Sequence, residues 1–381
     1  MPSPYVLNGI DVLLEQDFAP LRGRKLGLIT NHTGCDQQGR SIIDLLQAAP
    51  GVEIKALFSP EHGLRGIDDA KVASSTDEKT GLPIHSLYGE TMRPKPEWLE
   101  GLDTLLFDIQ DVGVRFYTYT TTMAYGMEAA AQHGLKYYVL DRANPINGAQ
   151  VAGPVNDAEY ESFVAYHQMP VRHGMTHGEL ARWFNDARQI NADLEVVPLR
   201  GWRRDMWGDQ TGQLWIIPSP NLRNLKQAIL YPGVGMLEGT NVSVGRGTDT
   251  PFEYLGAPWV EPHAFVEELN RREIKGVSFV PTRFTPQSPI YQYCGELCGG
   301  VYIMLNDRSK LQTVVMGLNM AQALCKLYPD HYRVDNVVRL LGDGGAPKLL
   351  TDGTPIDQII IRWQERLNQF MAERAKHLIY Q

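Results

Sequence analysis

The sequence predicts an α/β fold: a Rossmann-like, doubly wound parallel sheet followed by a second, smaller α/β domain. Three observations predict it. Short apolar runs typical of buried strands alternate with segments of helical spacing. Four of these runs end in acidic or polar residues, as strands of an open parallel sheet do at a ligand-binding edge. The pattern then changes near residue 228, where glycine and turn residues become dense.

The first part of the chain alternates strand and helix. The predicted strands are Lys25–Ile29, Glu53–Phe58, Thr104–Phe107, Tyr137–Leu140 and Leu194–Pro198, and the predicted helices are Val6–Leu14, Ser41–Ala48, Thr121–His133 and Thr176–Arg188. Gly134 supplies the C-terminal stop of the third helix, and Thr176 forms a capping box with Glu179 at the start of the fourth. Such alternation predicts parallel strands covered by helices on both faces.

The second part of the chain begins with the glycine-rich stretch 231–241. The elements predicted after it are helices at Pro262–Arg272, Leu311–Tyr328 and Pro355–Arg374 and strands near Val277–Pro281 and Gly300–Leu305. We therefore predict a catalytic Rossmann-like domain at residues 1–228 and a C-terminal α/β domain at residues 229–381. A cleft between the two is the expected ligand site, because such sites favour domain interfaces.

The composition excludes several classes of protein. The chain has 381 residues, 43% of them hydrophobic, with a formal net charge of -8, which argues against binding nucleic acid through bulk charge. No window is long and apolar enough to span a membrane, and the first 22 residues lack the pattern of a signal peptide. We expect a cytoplasmic protein that binds neither nucleic acid nor membrane. The four cysteines are expected to be free thiols, and the oligomeric state stays open.

The residues after the strands suggest chemistry. Parallel strands present their carboxyl ends at one edge of the sheet, so Glu61, Asp108, Asp111 and Asp141 are expected to converge in one cleft. Neighbouring carboxylates raise one another's pKa, which suits acid–base or nucleophilic catalysis. One or two of the four are expected instead to cap helices, but not Glu61, which lies in a predicted loop.

Other chemistries fit the sequence less well. The first strand is followed by one glycine where a dinucleotide-binding loop needs three, and neither a P-loop nor a nucleophile elbow occurs. His173 and His177 are four residues apart, but we expect them to line the cleft or cap a helix, with no metal and no cofactor bound. A metal-dependent hydrolase using His62, Asp108, His173 and His177 stays an alternative. A non-catalytic glycan-binding protein is the second alternative.

Sugar chemistry agrees better with these residues. Glycoside hydrolysis needs a protonated acid, usually a second carboxylate, and polar groups that bind hydroxyls. The loop after Asp111 adds Arg115 and Tyr119, and the second domain adds Glu238 to Asn241 and a polar segment that contains Arg246.

At these motifs the sequence resembles a known family. The segments are Thr30-Asn31-His32-Thr33-Gly34, Ser59-Pro60-Glu61-His62-Gly63, Asp108-Ile109-Gln110-Asp111-Val112-Gly113, Asp141-Arg142-Ala143-Asn144-Pro145, Pro218-Ser219-Pro220-Asn221 and Glu238-Gly239-Thr240-Asn241. Together they resemble the exo-β-N-acetylmuramidases of the NamZ type, and the resemblance runs from about Gly23 to the C-terminus. It implies a Rossmann-like domain joined to a smaller one, with the active site in the cleft between them.

The resemblance also implies an activity and one catalytic residue, to which the sequence adds further candidates. The activity is release of N-acetylmuramic acid from the non-reducing end of peptidoglycan fragments, without a cofactor, and the lack of a leader suggests cell-wall recycling. Glu61 matches the family's proposed catalytic residue and is expected to be the general acid, with Asp108 or Asp111 as the second carboxylate and Asp141 as the remaining alternative. The expected substrate-binding residues are Asn31, His32, His62, Arg115, Tyr119, Asp141, Arg142, Asn144, His173, Asn221, Glu238, Asn241 and Arg246. Among these, Arg115, Arg142 and Arg246 are candidates to bind the lactyl carboxylate of the sugar.

Overall fold

Strands and helices alternate through the first part of the chain, in a computed structural model that describes residues 5–65 and 74–381. The strands in these ranges are β1 (Lys25–Thr30), β2 (Glu53–Ser59), β3 (Ser75–Thr76), β4 (Pro83–Ser86), β5 (Thr104–Asp108), β6 (Lys136–Leu140), β7 (Ala152–Val155), β8 (Pro170–Arg172), β9 (Asp193–Val197), β10 (Tyr254–Ala257), β11 (Val277–Phe284) and β12 (Cys298–Leu305). The helices are α1 (Gly9–Glu15), α2 (Ile42–Ala48), α3 (Tyr119–Gln132), α4 (His177–Ala187), α5 (Leu225–Val234), α6 (Pro262–Asn270), α7 (Thr313–Leu327), α8 (Val338–Leu341), α9 (Ala346–Thr351), α10 (Ile356–Ile361) and α11 (Gln364–Ala375).

The central sheet has seven strands in the order β3-β4-β2-β1-β5-β6-β9. All neighbouring pairs are parallel except the short β3, which runs antiparallel to β4. Helices α1 and α2 contact one face of the sheet, and α3 and α4 contact the other. The predicted doubly wound α/β fold is therefore confirmed.

Side chains of the central strands alternate between two cores. In β5, Leu105 and Phe107 are fully buried on the α3 side, and Leu106 is fully buried on the α1 side. The alternation follows from the two-residue repeat of a strand, and it explains why these segments are apolar at every position. The carboxyl ends of β1, β2, β5 and β6 consequently meet at one edge, as the sequence predicted.

The second part of the chain has a different sheet. Strands β10, β12 and β11 form a three-stranded antiparallel sheet, and α6 and α7 pack near it. Helix α5 runs through the predicted boundary at residues 228 and 229 and packs on α7. Gly233 and Gly317 lie at this crossing, where a Cβ on either glycine would collide with the backbone of the other helix.

Two segments differ from the sequence-based expectation. The stretch 231–241 was expected to be a turn region, but it holds the end of α5 and a 3₁₀ turn at Gly235–Gly239. The single helix expected at Pro355–Arg374 is two helices, α10 and α11. At the break the buried indole N–H of Trp363 donates to Asp343 at 2.7 Å, a long-range contact that the local apolar spacing does not encode. Within residues 5–65 and 74–381, no helix has the length and apolar character needed to cross a membrane.

Candidate active site

An open cavity of about 520 Å³ lies between the central sheet and the C-terminal part of the chain. The turn after β2 and the start of α3 form one wall, and the 3₁₀ turn after α5 and helix α8 form the other. The ionisable and hydroxyl-bearing side chains that line it include Glu61, Tyr88, Thr118, Glu238, Arg246 and Arg339. We call this cavity the cleft.

Glu61 lies in a tight turn at the carboxyl end of β2. The next two residues, His62 and Gly63, have positive φ angles of 70° and 74°, and the Gly63 N–H donates to the Pro60 carbonyl at 3.1 Å. The turn leaves Glu61 half-buried, and the Thr118 hydroxyl at the start of α3 donates to its Oε2. No Lys, Arg or His in the described part of the chain forms an ion pair with Glu61.

Two tyrosines surround Glu61. Burial, and after it the negative charge of Glu61, raises the pKa of the Tyr88 hydroxyl to about 12. The Tyr119 hydroxyl donates to the Pro218 carbonyl at 3.0 Å and lies 3.4 Å from the Glu61 carbonyl oxygen. Burial and the Glu61 charge also raise the pKa of Tyr119. Both phenols therefore stay protonated at neutral pH and can donate hydrogen bonds.

Glu238 brings a second carboxylate to the cleft from the other wall. Its two oxygens pair with Arg246, with 3.0 Å from Nε to Oε1 and 3.0 Å from Nη2 to Oε2. Glycines with φ angles of 80° flank Arg246, so the chain turns sharply on both sides of it. Burial raises the pKa of Glu238, the charge of Arg246 opposes that rise, and the charge of Glu61 adds to it. The last effect agrees with the position of both carboxylates in the lining of one cleft.

The carboxylates at the other strand ends do not line the cleft. Asp108 is fully buried and forms a two-pronged ion pair with Arg142, at 2.5 Å from Nε to Oδ1 and 2.9 Å from Nη2 to Oδ2. Asp141 is fully buried and accepts from the Gly178 N–H at 2.8 Å and the Thr176 hydroxyl at 2.7 Å, beside the start of α4. Asp141 therefore accepts hydrogen bonds at the N-terminus of α4. This is the capping role that was expected for one or two of the four carboxylates.

Asp111 lies in a buried cluster with two histidines. His173 Nε2 is 3.6 Å from Oδ2 of Asp111, and His177 Nε2 is 3.9 Å from Oδ1. Burial alone would raise the pKa of Asp111, but His177 and His173 hold it below its usual range. In residues 5–65 and 74–381, no group of three or more His, Cys, Asp or Glu side chains has an arrangement that could hold a metal ion. Four carboxylates were expected in one cleft, and Glu61 is the member that lines it.

A second cavity, of about 360 Å³, opens at the ends of β1, β5 and β6. Thr33, Gln110 and Arg142 line it, so it occupies the place where an open α/β sheet usually binds its ligand. Its arginine is already paired with Asp108, and Glu61 and Glu238 are not part of its lining. The cleft therefore provides the better setting for chemistry.

Arg115 is far from solvent and does not face the cleft. Its guanidinium is 1% exposed and donates to four backbone carbonyls, those of Pro154, Met169, Leu340 and Leu341. Burial lowers the pKa of Arg115 to about 9. Arg115 and Arg142 were expected to be free for a substrate carboxylate, and both are occupied by internal partners.

The motif asparagines beyond the first strand use their amides to hold loops. Asn144 donates to the Met175 carbonyl at 3.0 Å, Asn221 donates to the Tyr291 hydroxyl at 2.8 Å, and Asn241 donates to the His331 carbonyl at 2.9 Å. His173 has a similar role, because its Nδ1 accepts from the Met175 N–H at 3.2 Å. These contacts give the three asparagines and His173 a structural role, and the asparagine contacts join segments that are distant along the chain.

Asn31 and His32 follow β1, His62 follows β2, and the first two are not part of the lining of the cleft. Asn31 is buried, and its Oδ1 accepts from the Thr33 N–H at 2.9 Å and the Thr33 hydroxyl at 2.6 Å. His32 Nε2 lies 2.5 Å from the Ile217 carbonyl, and burial lowers the pKa of this imidazole. His62 lines the cleft. Of these three, His62 is therefore best placed to meet a ligand.

Sequence reasoning missed Tyr88, Tyr231 and Arg339 as cleft residues. Tyr88 follows β4, a short strand without a strong apolar run, and Arg339 lies in the four-residue helix α8. Neither segment carries a motif that points to a site. The sequence did predict a cleft between two parts of the chain. From this it could be expected that residues of the second part also line the cleft, but not which ones.

Comparison with known proteins gives consistent results along the chain. Residues 26–226 match the family model described as exo-β-N-acetylmuramidase NamZ, N-terminal, and residues 229–380 match its C-terminal counterpart. A curated relative, the peptidoglycan β-N-acetylmuramidase NamZ of Bacillus subtilis (strain 168), is 44% identical over 383 aligned residues, which cover 99% of this chain and 92% of the relative.

Solved structures agree with this result. A crystal structure of a DUF1343 family protein from Bacteroides fragilis superposes with a TM-score of 0.91 at 35% identity and covers 100% of both chains. A second DUF1343 family protein of that organism superposes with a TM-score of 0.80 at 31% identity, covering 99% of each chain.

Proposed function

The chain belongs to the NamZ family, and from that premise we propose that it is an exo-β-N-acetylmuramidase. It would release N-acetylmuramic acid from the non-reducing end of peptidoglycan fragments such as the muramyl-β-1,4-glucosaminide disaccharide. Its partner is then a peptidoglycan-derived sugar. The relative of known activity is 44% identical along nearly the whole chain, which supports this assignment.

One observation carries the chemistry: Glu61, in the turn after β2, and Glu238, in the 3₁₀ turn after α5, line the same cleft. Glycoside hydrolysis uses two carboxyl groups on either side of the scissile bond, one as an acid and one as a base or nucleophile. Asp108 and Asp111, the earlier candidates for the second carboxylate, are buried beside Arg142 and the two histidines. Glu238 therefore replaces them in this proposal.

The partners of the two glutamates suggest their roles. Glu238 is paired with both prongs of Arg246, whose charge opposes the rise in pKa that burial causes and so supports the carboxylate that a base or nucleophile requires. Glu61 has no cationic partner in the described ranges, and it accepts from the Thr118 hydroxyl. Because Glu238 is already engaged by a cation, we assign Glu61 as the general acid that protonates the leaving-group oxygen.

The first experiment is turnover of the muramyl-glucosaminide disaccharide by the purified protein, followed by detection of free N-acetylmuramic acid. Turnover that survives a chelator would eliminate the metal-dependent alternative, and any turnover eliminates a purely glycan-binding role. If neither sugar is released from this disaccharide, the proposed function is wrong.

The roles of the glutamates are separated by the choice of leaving group. Glu61→Gln is expected to lose most of its activity on the disaccharide but much less on a nitrophenyl muramide, because nitrophenolate leaves without protonation. Glu238→Ala should lose activity on both substrates. If Glu61→Gln loses activity on both substrates and Glu238→Ala loses it mainly on the disaccharide, the two roles are exchanged.

The domain division and the cellular location stay predictions. We propose that residues 1–228 and 229–381 form the two domains, although α5 crosses the boundary, so a cut after residue 234 should disturb the fold less than one at 228. Limited proteolysis with mass spectrometry of the fragments tests this division. A cytoplasmic location is tested by fractionating the producing cells.

A further inference from the structure

Arg339 is the cleft guanidinium that has no partner among the residues that the structure describes. It lies in α8, lines the cleft with an exposed side chain, and forms no hydrogen bond or ion pair with the residues at 5–65 and 74–381. The other guanidinium that lines the cleft, Arg246, is paired with Glu238 through two contacts. An arginine held at a cleft wall without an internal partner has five N–H donors to offer a ligand.

Helix α8 is anchored although the Arg339 side chain is exposed. The buried guanidinium of Arg115 donates to the Leu340 carbonyl at 2.6 Å and to the Leu341 carbonyl at 2.8 Å. The same guanidinium donates to the Met169 carbonyl at 2.6 Å, which ties α8 to the N-terminal part of the chain. The backbone of Arg339 therefore has a fixed position relative to the cleft, as a recognition residue requires.

The charges in the cleft leave Arg339 without an opposite charge. Glu238 and Arg246 offset each other, and Glu61 is protonated when it acts as the general acid. The positive charge of Arg339 is felt at Tyr88 and Glu238. Burial raises the pKa of both groups, and the charge of Arg339 opposes part of that rise. A substrate carboxylate placed beside Arg339 would supply the missing opposite charge, whereas the negative charge of Glu238 would repel a carboxylate placed beside it.

We propose that Arg339 binds the lactyl carboxylate of N-acetylmuramic acid and thereby sets the preference for muramyl over glucosaminyl substrates. This inference rests on the proposed function, and it names the residue that selects the sugar. N-acetylglucosamine lacks the lactyl group, so it would leave the guanidinium without a partner. Arg115 and Arg142 cannot serve, because both are buried against internal acceptors.

Two properties follow from an exposed, planar cation. Arg339→Lys should retain part of the preference, because an ammonium keeps the charge but cannot form the two-pronged contact with a carboxylate. The preference should also weaken as salt is raised, since exposed charges are screened within about 8–10 Å at physiological ionic strength. A preference based on shape alone would show neither effect.

The test compares nitrophenyl muramide with nitrophenyl N-acetylglucosaminide on the wild type, Arg339→Ala and Arg339→Lys. Arg333→Ala is the matched control, because Arg333 is an exposed neighbour that does not line the cleft. In Arg339→Ala, the ratio of kcat/KM for the muramide to kcat/KM for the glucosaminide is expected to fall on the order of tenfold, because the loss of the carboxylate contact affects the muramide alone. Arg339→Lys should lie between, and the control should match the wild type.

Binding of the free sugars gives a second measurement that needs no turnover. In calorimetry, Arg339→Ala should bind N-acetylmuramic acid on the order of tenfold more weakly than the wild type does, with N-acetylglucosamine unaffected. If Arg339→Ala keeps the wild-type preference in kinetics and in binding, the inference is wrong and Arg246 becomes the better candidate. A wild type that hydrolyses neither glycoside nor the disaccharide contradicts the proposed function, and equal hydrolysis of both glycosides contradicts the selectivity itself.

Discussion

The cleft and the buried edge of the central sheet contain the same kind of side chain in different states. In the cleft, Glu61 is half-buried, with a threonine hydroxyl as its partner and no cation beside it among the described residues. At the edge, Asp108 is fully buried and closed into a two-pronged pair with Arg142. Asp108 is the last residue of β5, and Glu61 lies two residues after the end of β2. The difference shows that a position at a strand end makes a carboxylate a candidate, and that its partners decide whether it reacts or supports the fold.

The largest expected effect tests the cleft side of this comparison. Glu61→Gln should lower kcat on the disaccharide by on the order of 10²–10⁴, because an amide cannot donate the proton that the leaving group needs. The free energy of unfolding, measured with urea, should change little. Glu100→Gln, an exposed glutamate outside the cleft, is the control. A well-folded Glu61→Gln protein with near-wild-type turnover would remove Glu61 from the mechanism.

The next effect tests the buried side. Asp108→Asn should lower the free energy of unfolding by about 3–5 kcal/mol, because it leaves the buried Arg142 guanidinium without its counter-charge. The protein that remains folded should keep nearly wild-type kcat. Urea unfolding and steady-state kinetics on the same preparation separate the two quantities. A loss of turnover at unchanged stability would return Asp108 to the list of catalytic residues.

A smaller effect concerns the electrostatics of the cleft. The charge of Arg246 lowers the pKa of Glu238, so Arg246→Ala should raise that pKa further above its ordinary value. If Glu238 must be ionised, the limb of the pH–rate profile that rises with pH should move to higher pH. Activity at acidic pH should then fall more than activity at neutral pH. An unmoved limb would mean that Glu238 does not control it.

The smallest expected effect concerns a motif residue that supports a loop. The Asn241 side chain donates to the His331 carbonyl at 2.9 Å and accepts from the Arg333 N–H at 2.7 Å, both at exposed positions. Asn241→Ala should therefore cost about 1–2 kcal/mol of stability, from two modest hydrogen bonds. Its kcat/KM should stay close to the wild-type value. A selective rise in KM without loss of stability would instead assign Asn241 to substrate binding.

The sequence by itself determined the central sheet, the order of its main elements and the family. Val-, Ile-, Leu- and Phe-rich runs bounded by polar turns specify parallel strands locally, because both faces of each strand must be covered. The motif Ser59-Pro60-Glu61-His62-Gly63 also predicted that Glu61 lies in a loop at the end of β2. The structure has a turn there, and Gly63 adopts its positive φ angle without steric cost. These features depend on neighbours along the chain, so they could be predicted.

Only the tertiary structure decided which charged groups are satisfied and which are free. Arg142 forms an ion pair with Asp108, and Arg246 forms one with Glu238. Arg115 donates to the carbonyls of α8. Arg339 lines the cleft and has no such partner among the described residues. Two of these contacts join residues that are 34 and 225 positions apart in the chain. Burial and pairing depend on such distant contacts, and a charge acquires its role from them, so the sequence could name the candidates but not choose among them.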